Sequence, residues 1–127
     1  MPEEIKFRVW DREKGKMLYN PMIMDGKPYI YWLEFEDETF KYQQIYGDLM
    51  QYTGLKDRNG REIYESDIVE AFMDNEDNTR IVGRVQYSDC TWMVHYDKVM
   101  AEEFMNLSFV KFSVLGNCFE NPEKLTS

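Results

Sequence analysis

The sequence has few of the residues from which metal and catalytic sites are most often built. Its 127 residues include one histidine, two cysteines and four prolines. A structural zinc site needs about four cysteine, histidine or carboxylate ligands at short spacings, and Cys90 and Cys118 do not form a Cys-x-x-Cys pair. His95 lies in the alternating segment 91–96, where we interpret it as an ordinary surface or partly buried histidine. The sequence therefore predicts no metal and no cofactor.

Long apolar runs are also missing. Every apolar stretch is interrupted well before the roughly 18 residues that a transmembrane helix requires. The opening segment MPEEIKFRVWDREK (1–14) begins with acidic residues and contains no apolar run, so we expect no signal peptide. Without a sign of export, we expect both cysteines to be reduced thiols. These absences predict a cytoplasmic protein that does not interact with membranes.

The motifs of common catalytic and phosphate-binding sites are absent as well. No Gly-x-Gly-x-x-Gly or Gly-x-Ser-x-Gly occurs, and Gly54 and Gly60 are one residue too far apart for a P-loop. The segment DNEDN (74–78) resembles a calcium loop, but Thr79 and Val85 occupy the positions of its glycine and glutamate. With 24 acidic residues, carboxylate pairs arise by chance, so a hydrolase with a carboxylate site is only an alternative. We predict that the protein is not an enzyme.

Aromatic residues are abundant, with nine tyrosines, eight phenylalanines and three tryptophans, and this content argues against disorder. Alternating or β-rich segments predict strands at 5–10, 17–19, 29–35, 49–52, 68–72, 81–87, 91–96 and 109–115. Residues 36–48 fit neither period, so a short helix and an irregular crossover both stay open. Met100, Phe104 and Leu107 predict a short amphipathic helix within 98–107. The fold class is mainly β, with an N-terminal β-hairpin region, a small β-barrel and at most one or two short helices.

The net charge of −9 is unevenly distributed. Residues 1–63 carry 12 acidic and 10 basic side chains, whereas residues 64–127 carry 12 and 5, giving −2 and −7. The segment 6–16 is locally +3 and predicts a basic hairpin with one stacking ring. Its candidate nucleic-acid contacts are Lys6, Arg8, Trp10, Arg12, Lys14 and Lys16. Lys56, Arg58 and Arg61 could extend that contact.

Four segments carry a family resemblance. The run LMQYTGLKDRNGREIYESDIVE (49–70) resembles the YopX-like family of small phage and prophage proteins. The segments IKFRVWDREKGKML (5–18), GRVQY (83–87) and VLGNCFENPEKL (114–125) fit that family too. Ser66 departs from it, since the family usually has glycine there. The turn residues Gly54, Asp57, Asn59 and Gly60 lie in the longest run, and we interpret them as structural.

This resemblance implies one domain over residues 1–127, with an N-terminal β section (1–48) and an SH3-like barrel section (49–127). It also implies a phage or prophage gene whose product acts in the bacterial cytoplasm, and it supplies no activity, cofactor or site residue. Together with the missing catalytic motifs, it favours a non-catalytic accessory protein that binds a host or phage protein. Trp10, Trp32 and Trp92 could contribute to that surface. Nucleic-acid binding through residues 6–16 is the alternative, and a homo-oligomer stays open.

Overall fold

A computed structural model describes residues 4–73, 76, 78–88, 90–98, 101–107 and 111–125. These residues form a mainly β fold, as the sequence predicts. The strands are β1 Phe7–Asp11, β2 Lys16–Tyr19, β3 Met22–Met24, β4 Lys27–Glu34, β5 Thr39–Gln44, β6 Gly47–Lys56, β7 Glu62–Tyr64, β8 Asp67–Phe72, β9 Arg80–Ser88, β10 Thr91–Lys98, β11 Ala101–Asn106 and β12 Ser113–Asn117. Within the described ranges, the 3₁₀ turn Pro122–Leu125 is the one helical element. None of these residues forms a helix of the length and apolarity needed to cross a membrane.

The chain divides into two compact units. The first comprises Ile5–Gln51, and the second contains the chain from Tyr52 onward. This boundary and the one predicted at 48/49 both fall inside β6. A division into one domain with two sections stays a prediction.

In the first unit, β1 pairs with β2 on one side and with the beginning of β6 on the other. Alternation in the sequence predicts one buried face for this strand, and that prediction is wrong. Arg8 and Val9, which point to opposite faces, are 2% and 0% exposed. A Cβ at Gly47 would lie 1.8 Å from the carbonyl oxygen of Trp10. Only glycine therefore permits the close approach of β6 to β1.

A second sheet in this unit has the order β3-β4-β5. Strand β4 pairs with β5 over six residues on each strand, from Tyr29↔Gln44 to Glu34↔Thr39. The segment 36–48, whose sequence leaves a short helix and an irregular crossover open, thus contains a regular strand. Its partner β4 supplies the backbone hydrogen bonds that determine this conformation.

The second unit contains an antiparallel sheet with the order β11-β10-β9-β8-β12. Its core joins residues from distant parts of the chain, which are Ile63, Val69, Ala71, Val85, Val94, Leu107 and Phe112. Among the described strands, β11 and β12 are the two edges of the sheet. Closure of this sheet into an SH3-like barrel stays a prediction.

Two sequence predictions in this unit need correction. The amphipathic helix predicted within 98–107 is wrong, because Ala101–Asn106 pairs with β10 as strand β11. An isolated helix of this length is marginally stable, whereas pairing with the preceding strand adds this segment to the edge of an existing sheet. The strand predicted at 109–115 is displaced to Ser113–Asn117, and residues 109 and 110 lie outside the described residues. Most of the segment DNEDN (74–78) also lies outside them.

Asp57 fixes the turn that follows β6. Its carboxylate is buried and accepts hydrogen bonds from three backbone N–H groups, those of Asn59 (2.8 Å), Arg61 (2.9 Å) and Val114 (2.9 Å). Burial raises the pKa of Asp57, but these hydrogen bonds and the charge of Arg61 outweigh it, so the pKa lies below its usual value. The predicted turn is therefore also an attachment point for β12.

We expect Asp57→Asn to lower the free energy of unfolding by about 1–3 kcal/mol at pH 7, because the amide offers one acceptor oxygen where the carboxylate offers two. Since the folded-state pKa is lowered, this contribution is complete above the unfolded-state value of about 3.9 and is lost as the pH falls through the folded-state value. Urea unfolding at pH 7 and pH 3 measures both effects. Asp25→Asn, at an exposed turn, is the control. Equal urea midpoints for the two variants at pH 7 would contradict the role of Asp57.

Candidate functional site

The predicted nucleic-acid contacts on β1 do not form one exposed basic face. Lys6 and Trp10 are half-buried, and Arg8 is almost fully buried. A buried guanidinium cannot reach a phosphate, so Arg8 is unsuited to the role that the sequence suggests.

Arg12, Lys14 and Lys16 lie in or beside the β1–β2 turn and are exposed. Arg12 donates two hydrogen bonds to Asp48, from Nη2 to Oδ1 (2.8 Å) and from Nε to Oδ2 (3.1 Å). The hydrogen bond from Arg12 lowers the pKa of Asp48, so the carboxylate stays charged and neutralises the arginine. Nucleic-acid contact by residues 6–16 stays a prediction, with two exposed lysines as its strongest support.

A different surface, on β4 and β5, is unusually aromatic. Side chains alternate across a strand, so Tyr29, Tyr31 and Leu33 share one face of β4, and Phe40 and Tyr42 share that face on β5. We call these five residues the aromatic face. Four of them are largely exposed: Tyr31 is 56%, Leu33 47%, Phe40 64% and Tyr42 59% exposed. A contiguous patch of large, solvent-exposed apolar side chains is typical of an interaction site.

The rings of the aromatic face contact one another across the two strands. Tyr31 stacks on Phe40 with 5.6 Å between ring centroids and 17° between planes. Tyr29 meets Tyr42 edge-on at 5.8 Å and 78°. Both contacts join diagonal neighbours in the register, which long aromatic side chains can reach. These contacts restrict the rotation of the rings, so ordering them further would cost little side-chain entropy.

Acidic residues surround the end of this surface. The β4–β5 turn carries Glu34, Glu36, Asp37 and Glu38, which we call the acidic tip, together with the exposed Phe35. Asp37 Oδ1 accepts hydrogen bonds from the hydroxyl and the backbone N–H of Thr39, and the hydroxyl contributes most to the lowered pKa of Asp37. Lys41 Nζ lies 3.5 Å from Asp37. Residues 34–41 thus hold four acids and one base.

A pocket of about 180 Å³ lies beside the aromatic face. Tyr29 and Tyr31 belong to both, and the remaining walls come from the connection between β2 and β3 and from neighbouring residues. These other residues are Leu18, Tyr19, Asn20, Pro21, Met22, Ile30 and Ile45. The walls are mostly apolar and contain no carboxylate or basic side chain. The pocket suits an apolar side chain of a partner better than a charged substrate.

Within the described ranges, no three histidine, cysteine, aspartate or glutamate side chains are grouped so that they could hold a metal ion. His95 and Arg84 lie beside each other, with 3.4 Å between Nδ1 and Nη2.

Of the tryptophans suggested for a surface role, Trp32 is exposed at 41%, whereas Trp92 packs against the core of the second unit. Tyr29, Tyr31 and Leu33 alternate in the sequence, but the aromatic face is not apparent from them alone, because its other half lies on β5, which the sequence does not predict.

The fold and this surface define a small, mainly β protein with an exposed aromatic sheet face. A family model described as YopX protein matches residues 6–126, so the chain belongs to the YopX family, as its resemblance indicated. No curated protein matches the chain. The names of the family and of the similar structures below state no catalytic activity or partner.

Two solved structures are similar over nearly their whole length. Protein EF1440 from Enterococcus faecalis is 26% identical, with a TM-score of 0.62, and the match covers 98% of this chain and 99% of that one. Protein yopX from Bacillus subtilis is 23% identical, with a TM-score of 0.55 and coverage of 94% and 95%. The second likeness concerns the fold alone.

We expect Phe40→Ser to lower the free energy of unfolding by no more than about 1 kcal/mol, because the ring is mostly in water and contributes mainly a cross-strand contact. Phe112→Ser, which removes a core side chain with 2% exposure, should cost about 3–5 kcal/mol. Urea unfolding of the two variants measures the difference. Equal losses would show that the aromatic face supports the fold rather than remaining available to a partner.

Proposed function

We propose that this protein is a non-catalytic binding module that recognises another protein through its aromatic face. The observation that carries the proposal is the contiguous exposure of Tyr31, Leu33, Phe40 and Tyr42. Tyrosine and phenylalanine are enriched where proteins bind one another, since their rings bury a large area with few rotatable bonds.

The geometry supports a protein partner over a small substrate. The rings lie on an open sheet face, and the adjoining pocket has no charged side chain that could bind and orient a polar substrate. Catalysis needs groups of matched pKa converging on one point, and the aromatic face supplies only tyrosine hydroxyls. Docking of a protein requires no such convergence, because burial of apolar area supplies its driving force.

The cellular setting belongs to the proposal as well. The family resemblance supports a phage or prophage protein that acts in the bacterial cytoplasm, with a host or phage protein as its partner. The two similar structures come from bacterial species. Binding of nucleic acid by residues 6–16 has weaker support, because Arg8 is buried and Arg12 is neutralised by Asp48.

Affinity capture from a lysate of lysogenic bacteria tests the proposal, with the full chain as bait. The double variant Tyr31→Ser/Phe40→Ser removes two rings of the aromatic face. We expect it to recover any specific partner at least ten-fold less well than the wild type, because such rings are typical hot spots.

The matched control is Tyr46→Ser/Phe72→Ser, which removes one tyrosine and one phenylalanine that are 60% and 51% exposed elsewhere. It should recover the partner as the wild type does. Recovery of the same proteins by all three baits, or no reproducible partner in repeated captures, would count decisively against the proposal.

A further inference from the structure

Strand β5 has an outer edge next to the aromatic face. In the order β3-β4-β5, this strand is the last of the three, with β4 on one side. Its residues Phe40, Tyr42 and Gln43 are exposed. Edge strands present unpaired backbone groups and so can accept a further strand.

The register shows which backbone groups are directed outward. Ile45 N–H donates to the carbonyl of Pro28 at 2.9 Å, which makes Pro28↔Ile45 a hydrogen-bonded pair. In an antiparallel ladder such pairs alternate with pairs that exchange no hydrogen bond. Thr39, Lys41 and Gln43 therefore bond to β4, whereas the N–H and C=O groups of Phe40, Tyr42 and Gln44 point away from it. The outward backbone groups thus belong to the residues whose side chains lie on the aromatic face or continue it.

The charge around β5 indicates which kind of segment could pair with its outer edge. The acidic tip places four carboxylates at one end of β5, against one lysine. A lysine or arginine in an added strand would meet these carboxylates, and its cation would also be attracted to the exposed faces of Tyr42 and Phe40. A second copy of this chain is disfavoured, since each copy carries a net charge of −9.

We propose that the partner docks by strand addition: an extended, lysine- or arginine-containing segment of another protein pairs with the outer edge of β5. Its backbone bonds to Phe40, Tyr42 and Gln44, and its alternate side chains extend the aromatic face. Main-chain hydrogen bonds contribute affinity, and the rings and the acidic tip contribute specificity. This inference rests on the proposed function and specifies the partner and the manner of its binding.

Random dodecapeptides displayed on phage and selected against the immobilised full chain provide the probe. Selected peptides, synthesised with a fluorophore, are then titrated with the protein and followed by anisotropy. We expect sequences with alternating apolar residues and at least one lysine or arginine. Their binding should be lost, by at least ten-fold, in the Tyr31→Ser/Phe40→Ser variant.

N-methylation of the peptide backbone, one residue at a time, tests strand addition itself. Only every second amide of an added antiparallel strand faces β5, so methylation should weaken binding about five-fold or more at alternate positions and little between them. On the protein, Gln44→Pro removes an outward N–H and should weaken binding similarly. Gln44→Ala keeps that N–H and should bind like the wild type, provided both variants show wild-type circular dichroism.

Charge reversal tests the basic class of partner. Glu36→Lys changes the acidic tip, and Glu76→Lys, at an exposed position in the second unit, changes the net charge by the same amount. We expect several-fold weaker binding for Glu36→Lys alone, with a difference that shrinks as salt is added. Equal losses of affinity in the two variants would contradict the proposal that the partner segment is basic. Selected peptides without lysine and arginine would contradict it as well.

The outcomes separate the two proposals. Peptides that need the aromatic rings but show no two-residue period in the N-methyl scan would overturn strand addition and leave the proposed function standing. Failure of the selection to enrich any binding peptide would overturn strand addition, whereas the proposed function would still be decided by the affinity capture. Light scattering could instead show a dimer that Gln44→Pro converts to a monomer. That result would mean that a second copy of this chain occupies the edge of β5, and it would contradict the proposal that a basic segment of another protein binds there.

Discussion

Strand β6 is the constraint on which the rest of the structure depends. Its first residues, Gly47 to Gln51, complete the ladder of β1, and its later residues pair with β7. The approach to β1 is so close that residue 47 has no room for a side chain. Just before β6, the buried Ile45 donates its N–H to Pro28 and thereby holds the end of β5 against the start of β4. The aromatic face is thus anchored at one end by the same segment that leads into β6, and the chain of this YopX-family protein reaches the Asp57 turn directly after it.

Most strands could be predicted because their own residues carry the signal. Alternation in 5–10 and 91–96 and the β-branched residues in 68–72 indicate β1, β10 and β8 without knowledge of their partners. Strand β5 and strand β11 could not be predicted in this way. The alternation in TFKYQQ contains only two apolar residues, which is too short a pattern to identify a strand, and the apolar spacing in 98–107 matches a helix. In both segments, pairing with the preceding strand determines the backbone conformation.

The surfaces were harder to predict than the strands, for a related reason. The charge pattern of residues 6–16 is real, but sequence spacing cannot show that Arg8 is covered or that Asp48, thirty-six residues later, binds Arg12. Asp57 was recognised as part of a turn, yet its hydrogen bond to Val114 joins residues fifty-seven positions apart. The aromatic face was present in the sequence as Tyr29, Tyr31 and Leu33. Its extent became visible only when β5 placed Phe40 and Tyr42 beside them.

Exposed rings next to an open strand edge are also the surfaces from which aggregation usually starts. The abundance of acids on this chain provides colloidal protection, because copies that each carry −9 repel one another before their rings can meet. That protection is tied to pH. Near the isoelectric point of about 4.6 that the composition gives, the net repulsion is smallest, and we expect the solubility of the protein to be lowest there. The acidic composition that opposes contact with nucleic acids thus also opposes contact between the exposed aromatic rings of two copies of this chain.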